Sequence, residues 1–202
     1  MVAQPLLLPP ADFIDLKLKP VALDPARLFR VSPFNTGEPY FGSSGANRFD
    51  APGAPGHPEY LACYLGQTLT VALAETLLHD EVPLAGKFQI ATAELRRRYE
   101  IRFEGSLLNL ADLTGASLKR MGAHAELSGT ADYSLTRQWA LAVHQNHSHV
   151  DGFMYMSRHM NTQKAVVLFD RAKHKIRMLT ATELVRANGF AHAAKRLGLV
   201  GI

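Results

Sequence analysis

Cysteine is nearly absent from this sequence, and no long apolar run occurs in it. Its 202 residues include one cysteine, Cys63, which excludes an internal disulfide framework and a cysteine-rich zinc site. No run approaches the ~20 apolar residues that cross a bilayer, and the apolar patch near the N-terminus has no basic segment before it. We therefore expect a soluble protein without a targeting segment, in the reducing cytoplasm.

Charge of either sign is also modest. Lys and Arg number 22 against 18 Asp and Glu, so the net charge is +4 with neutral histidines. This balance lacks the dense basic footprint of a nucleic-acid-binding arm, and it suits an anionic small ligand as well as a polymer. The 47% of hydrophobic residues is enough for a core and excludes a largely disordered chain.

Proline and glycine predict the organisation of the chain. Residues 1–27 contain five prolines, which indicates an extended arm that packs on the body or reaches a partner. Residues 28–202 are then predicted to form a single domain. Nine glycines and prolines between residues 35 and 58 predict a long loop, and such loops are often functional.

Hydrophobic periodicity predicts an α+β domain of short, mainly antiparallel strands with peripheral helices. The predicted strands and short apolar segments lie at 28–32, 60–64, 87–93, 99–103, 107–110, 153–157, 165–170 and 175–180. The predicted helices lie at 67–79, at 112–121, from Ser134 to about 145, and at 183–197, the last with Thr182 as N-cap and an interruption at Gly189.

An isolated carboxylate is the first candidate functional group. Glu75 is the only ionisable residue between positions 65 and 78, and it lies opposite a stripe of leucines on the predicted helix. A carboxylate in such surroundings is costly unless it is paired or needed. The alternatives are a solvent-facing glutamate and a structural ion pair.

Two arginines are candidate anion ligands. Arg48 lies at the far end of the glycine-rich loop, where a guanidinium can hold a phosphate in a bidentate fork and small neighbours allow close approach. Arg30, at the end of the first predicted strand, is a second candidate. Alternatively, Arg48 orders the loop by pairing with Asp50 or Glu59.

Later in the chain, the sequence Tyr-Met-Ser-Arg at 155–158 ends a predicted strand with a hydroxyl, Ser157, and a cation. These groups could line a cleft, although a serine at a strand end is also a common turn residue. The ordered set of Arg30, Arg48, Tyr60, Glu75 and Ser157 resembles the RES domain family, named for arginine, glutamate and serine, over about 28–170. The family has Gly-Arg-Trp-Asn and Tyr-Pro-Ser where this chain has Asn-Arg-Phe-Asp at 47–50 and Tyr-Met-Ser at 155–157.

The resemblance implies an ADP-ribosyltransferase-like fold of the diphtheria-toxin type and the activity of a bacterial toxin that cleaves NAD⁺ at the nicotinamide–ribose bond. The reaction would be phosphorolysis, with inorganic phosphate as co-substrate, or hydrolysis, or transfer of ADP-ribose to a protein. Glu75, Arg48 and Ser157 would be catalytic, and Arg30, Arg48, Tyr60 and Ser157 would bind NAD⁺, with Tyr60 stacking on nicotinamide or ribose. No metal is required. The implied partner is an antitoxin of the Xre-like helix-turn-helix type. The resemblance leaves undecided whether the protein forms a homodimer.

Two other interpretations compete with this one. His144, His147, His149 and Asp151 cluster in sequence, but their spacing matches no standard metal motif, and a solvated helix end explains them better. The C-terminal helix is basic and amphipathic, which would suit a non-catalytic nucleic-acid-binding module. Only four cations over that stretch give poor phosphate coverage, so direct nucleic-acid binding is not expected.

Overall fold

The structure is a computed structural model and describes residues 5–202; residues 1–4, the start of the predicted arm, lie outside the described residues. The strands are β1 (Val21–Leu23), β2 (Phe29–Ser32), β3 (Ala62–Gly66), β4 (Phe88–Ile90), β5 (Tyr99–Gly105), β6 (Leu108–Leu113), β7 (Gly152–Met156), β8 (Lys164–Phe169), β9 (Ile176–Glu183) and β10 (Leu199–Gly201). The helices are α1 (Leu69–Thr76), α2 (Thr92–Arg96), α3 (Gly115–Arg120), α4 (Glu126–Gly129), α5 (Tyr133–Asn146) and α6 (Phe190–Leu197).

Eight strands form one sheet in the order β1-β6-β7-β8-β3-β2-β5-β9, and only the β6–β7 pair is parallel. Two residues, Ser106 and Leu107, connect β5 to β6, although four other strands lie between them in the sheet. The sheet must therefore curl until its two halves approach each other. The expected fold class, α+β with mainly antiparallel strands, is confirmed.

The curled sheet has a core on each face, because side chains alternate along each strand. In β3, Cys63 and Leu65 enter the core enclosed by the curl, together with Ile101 from β5. Ala62, on the other face, joins the core that α5 covers with Trp139. Burial raises the pKa of the Cys63 thiol to about 11, and this cysteine is a buried hydrophobic residue.

A third core holds helix α1, which carries part of the functional site. In it α1 packs against α6 and the two-stranded parallel sheet of β4 and β10. Thr68 caps α1 by accepting a hydrogen bond from the Val71 amide at 3.2 Å. Gly66 ends β3 directly before this helix, and a Cβ added there would lie 2.6 Å from the Ala72 nitrogen. Only glycine lets the strand and the helix approach so closely.

The described part of the arm, residues 5–27, lies against the body. Phe13 is buried, and its ring meets Trp139 edge-on at 5.6 Å between centroids. The amide of Leu6 donates to Glu126, and β1 extends the sheet beside β6.

The C-terminal region differs from the helix predicted at 183–197. Strand β9 continues to Glu183 because it pairs with β5, with Thr182 opposite Glu100, so Thr182 caps no helix. The helix begins only after Gly189, whose φ of +91° ends the preceding turn. No helix within residues 5–202 is long and apolar enough to cross a membrane.

Candidate functional site

A cleft of about 310 Å³ opens where β2, the end of β3, α1 and the glycine-rich loop meet. Its walls bring together segments from six parts of the chain. The lining residues are Phe29, Arg30, Val31, Ser32, Pro33, Ala46, Asn47, Arg48, Tyr64, Leu65, Gly66, Ala72, Glu75, Thr76, His79, Tyr133, Tyr155 and Arg158.

Glu75 projects from α1 into this cleft and is half-buried. The buried hydroxyl of Ser157 donates to its Oε1 at 2.5 Å, across 82 residues of sequence. The Met160 amide in turn donates to the Ser157 oxygen at 3.0 Å, which orients the hydroxyl toward the carboxylate. Glu75 is neither solvent-facing nor in an ion pair within the described residues; a serine holds it at the wall of a cleft.

Arg48 lies in the same cleft with only 8% of its surface exposed. Its Nη1 donates to the Thr130 carbonyl at 2.6 Å, and the guanidinium lies 4.6 Å from the centroid of the Tyr133 ring. No ion pair formed within residues 5–202 includes Arg48. Burial lowers its pKa, whereas the charge of Glu75 raises it, so the two groups act on each other electrostatically.

The loop that carries Arg48 is held by the carboxylate of Asp50. This buried group accepts hydrogen bonds from the Ser44 hydroxyl at 3.0 Å, the Asn47 amide at 3.1 Å and the Tyr64 hydroxyl at 3.0 Å. Asp50 therefore orders the loop without neutralising Arg48. The alternative that Arg48 pairs with Asp50 or Glu59 is wrong.

Arg30 also lines the cleft, but its charge is already matched. Its Nε lies 3.3 Å from the buried carboxylate of Glu38, and its Nη1 donates to the Tyr40 carbonyl at 3.1 Å. Of the two candidate arginines, Arg48 is the one without a carboxylate partner.

The structure does not bring Tyr60 to the cleft. Its ring is buried against Phe169 and His144, and its hydroxyl donates to the Phe49 carbonyl at 2.9 Å. The aromatic side chains of the cleft are instead Phe29, Tyr64, Tyr133 and Tyr155. The reason is that β3 starts two residues later than predicted, so Tyr60 precedes the strand.

Two titratable groups near Glu75, His79 and His159, were not singled out from the sequence. His79 and Arg158 line the cleft, and the ring of His159 lies 5.2 Å from that of His79. Burial lowers the pKa of His159, and the negative charge of Glu75 acts in the opposite direction. Arg158 is the cation that the sequence placed at the end of the predicted strand, and it does line the cleft; nothing local marks the histidines.

The cluster at 144–151 is not a solvated helix end. His147 is buried, with its ring 5.3 Å from Phe13, and His144 is half-buried between aromatic rings. Only His149 is exposed. Within residues 5–202, no three His, Cys, Asp or Glu side chains are grouped so as to hold a metal ion.

Comparison with known proteins identifies a family from the sequence and a similar fold among solved structures. The family model of the RES domain matches residues 24–187. No curated protein sequence matches the chain. Among solved structures, the crystal structure of the M. tuberculosis MbcT–MbcA toxin–antitoxin complex is similar in fold, with a TM-score of 0.62 and 13% sequence identity over 93% of this chain and 95% of the other.

Proposed function

The chain belongs to the RES domain family, and on this basis we propose that it is an enzyme that consumes NAD⁺ by breaking the nicotinamide–ribose bond. One observation carries the proposal. A buried arginine that has no carboxylate partner among residues 5–202, Arg48, and a carboxylate held by a serine, Glu75, line the same cleft. An unpartnered buried cation favours binding of an anion.

The anion would be the pyrophosphate of the dinucleotide. Arg48 would be its principal ligand, since charge-assisted hydrogen bonds to phosphate oxygens would satisfy donors that the protein leaves free. Arg158 is exposed at the same cleft and would add a second positive charge. Arg30 would contribute less, because Glu38 already neutralises it.

Glu75 would act on the ribose. Cleavage of an N-glycosidic bond builds positive oxocarbenium character on the sugar, and a fixed carboxylate beside it stabilises that charge. Nicotinamide leaves as a neutral molecule, so its departure needs no proton. Ser157 would keep Glu75 in place through the 2.5 Å hydrogen bond. Phosphate or water would then bond to the ribose carbon.

We propose further that the fold is ADP-ribosyltransferase-like, that the protein acts as a toxin in the cytoplasm, and that an antitoxin of the Xre-like type binds it. The similar solved structure is a toxin–antitoxin complex, which supports the partner proposal. We also propose that an N-terminal arm, residues 1–27, precedes a RES domain, residues 28–202. The family model matches residues 24–187.

The test is release of nicotinamide from NAD⁺ by the purified protein, with and without phosphate. Chromatography and mass spectrometry of the second product distinguish phosphorolysis, which gives ADP-ribose phosphate, from hydrolysis, which gives ADP-ribose. We expect Glu75→Gln to lower the rate by at least about 100-fold, since loss of charge stabilisation at the transition state has effects of this size.

The matched control is Glu104→Gln, because Glu104 pairs with Arg177 on the exposed side of β5, outside the cleft. It should release nicotinamide as the unmodified protein does. No release under any condition, including with added cell extract as a source of protein acceptors, would contradict the proposal. Label transferred from NAD⁺ to a protein in the extract would indicate an ADP-ribosyltransferase instead.

A further inference from the structure

When the acceptor in the proposed reaction is water or a protein hydroxyl, it carries a proton that must leave as its oxygen bonds to the ribose carbon. An ionised phosphate oxygen carries no such proton. A positioned base at this step contributes about 10²–10⁴-fold to the rate. Glu75 is poorly suited to take this proton, because a protonated carboxyl no longer stabilises positive charge on the ribose.

His79 is placed to take it. This residue lies three positions after the last residue of α1 and lines the cleft that Glu75 lines. Its Nδ1 is 2.7 Å from the Asp80 Oδ1. With the proton on Nδ1, the imidazole donates to Asp80 and leaves Nε2 as an acceptor. A carboxylate in this position also stabilises the imidazolium once the proton has moved.

The surroundings of His79 favour this role. The neighbouring ring of His159 is half-buried, and burial lowers its pKa, which favours its neutral form beside His79. The side chain of His79 is 43% exposed and that of Asp80 is 91% exposed, so a proton taken up in the cleft can pass to bulk water.

We propose that His79, oriented by Asp80, is the general base that deprotonates a water or hydroxyl acceptor; the inference rests on the proposed NAD⁺ cleavage. The bond between the ribose carbon and the nicotinamide nitrogen breaks, and its electron pair stays on nicotinamide. The acceptor oxygen bonds to the same carbon, and its proton moves to His79 Nε2 and then to solvent. Glu75 stays ionised throughout.

Azide distinguishes a base from a merely structural residue, because this anion attacks carbon without losing a proton. His79→Gln should lose little with phosphate, whose attacking oxygen carries no proton, but should release nicotinamide about 100-fold more slowly with water as acceptor. Its KM for NAD⁺ should stay within a factor of about three, since only the transition state loses an interaction. Sodium azide should restore the rate and yield ADP-ribosyl azide, detected by mass spectrometry.

Two other variants complete the experiment. Glu75→Gln should not be restored by azide, because it lacks the charge that stabilises the ribose cation. His174→Gln, an exposed histidine outside the cleft, should match the unmodified protein at every step. A His79→Gln protein that is fully active with water as acceptor, or one that azide fails to restore, overturns the role of His79 alone. Absence of release from the unmodified protein overturns the proposed function and this inference with it.

Discussion

Arg30 and Arg48 are similar candidates in sequence, since Arg30 precedes the long loop rich in glycine and proline and Arg48 lies within it. The fold gives them different partners. A buried carboxylate, Glu38, lies 3.3 Å from Arg30, whereas Arg48 meets only a carbonyl and the face of an aromatic ring. A guanidinium without a counter-ion can pair with an anionic ligand. The two arginines should therefore contribute unequally to NAD⁺ binding.

Arg48→Lys should weaken NAD⁺ binding by about 10-fold or more, because a hydrogen bond between charged groups contributes about 1.5–3 kcal/mol and lysine lacks the bidentate fork. Arg30→Lys should weaken it less. Calorimetry in the Glu75→Gln background, where turnover is slow, gives the dissociation constants, with the exposed Arg186→Lys as control. Equal losses for Arg30→Lys and Arg48→Lys would show that the Glu38 pair leaves Arg30 free for the ligand.

A half-buried histidine, His144, leads to a prediction about how stability depends on pH. His144 packs against Tyr60 and Phe169, and burial lowers its pKa from 6.5 to about 4, with the charge of Arg171 acting in the same direction. The unfolded chain therefore binds this proton at higher pH than the folded one. Stability contributed by neutral His144 is complete above pH 6.5 and is lost as the pH falls toward 4.

His144→Leu should consequently reduce the loss of unfolding free energy between pH 7 and pH 5, measured by urea denaturation. The exposed His149→Leu is the control and should leave that difference as it is. If His144→Leu loses as much stability on acidification as the unmodified protein does, the burial of the neutral His144 imidazole is not the cause of the loss of unfolding free energy at low pH.

At the scale of elements, the junction of β3 and α1 is the most constrained part of the site. Gly66 lets the helix start against the strand end, and α1 carries Glu75 into the cleft. Burial of this helix on α6 and the small sheet fixes its position. A substitution at the junction should therefore lower both the stability and the activity of the protein.

Gly66→Ala should lower the unfolding free energy by about 1–3 kcal/mol, because overpacking forces the backbone to shift. It should also slow nicotinamide release, since Glu75 moves with the helix. Gly56→Ala is the control, because a Cβ at Gly56 meets nothing within 4 Å. Thermal or urea denaturation and the release assay measure the two effects, and an unaltered release rate in a destabilised Gly66→Ala protein would contradict the coupling.

Local patterns predicted most elements because periodicity and breakers act over a few residues. The strands at 99–103, 153–157 and 165–170 agree with β5, β7 and β8 within two residues at their ends. The helix expected from Ser134 begins at Tyr133, capped by Asp132. Local patterns place the start of the last helix at residue 183, but Glu183 pairs with β5, some 80 residues earlier, and Leu184–Arg186 form a separate 3-10 turn. Pairing with a distant strand leaves no local sign.

At the scale of the whole molecule, the arm is part of the fold over the residues that the structure describes. Phe13 fills a space between α5 and the chain around His147, and β1 forms one edge of the large sheet. The sheet's outer core thus depends on residues that composition alone marks as an extended arm.

Phe13→Ala should lower the unfolding free energy by about 3–5 kcal/mol, the range for removing a buried aromatic ring. Ile14→Ala, at the next position but 62% exposed, should change it by no more than about 0.5 kcal/mol. Urea denaturation measures both. Similar small values for the two variants would mean that the arm lies on the body without stabilising it.

The amino-acid sequence by itself determined the fold class, the positions of most strands and helices, and the short set of polar residues that includes Arg48, Glu75 and Ser157. These follow from periodicity, from turn chemistry and from isolated charge in apolar surroundings, all of which are local. The tertiary structure alone decided which of these groups meet and which are already neutralised. Ser157 reaches Glu75, Glu38 neutralises Arg30, and Tyr60 turns into the core. The contact of Ser157 with Glu75 joins residues 82 positions apart, and only the tertiary fold brings such groups within the few ångströms over which hydrogen bonds act.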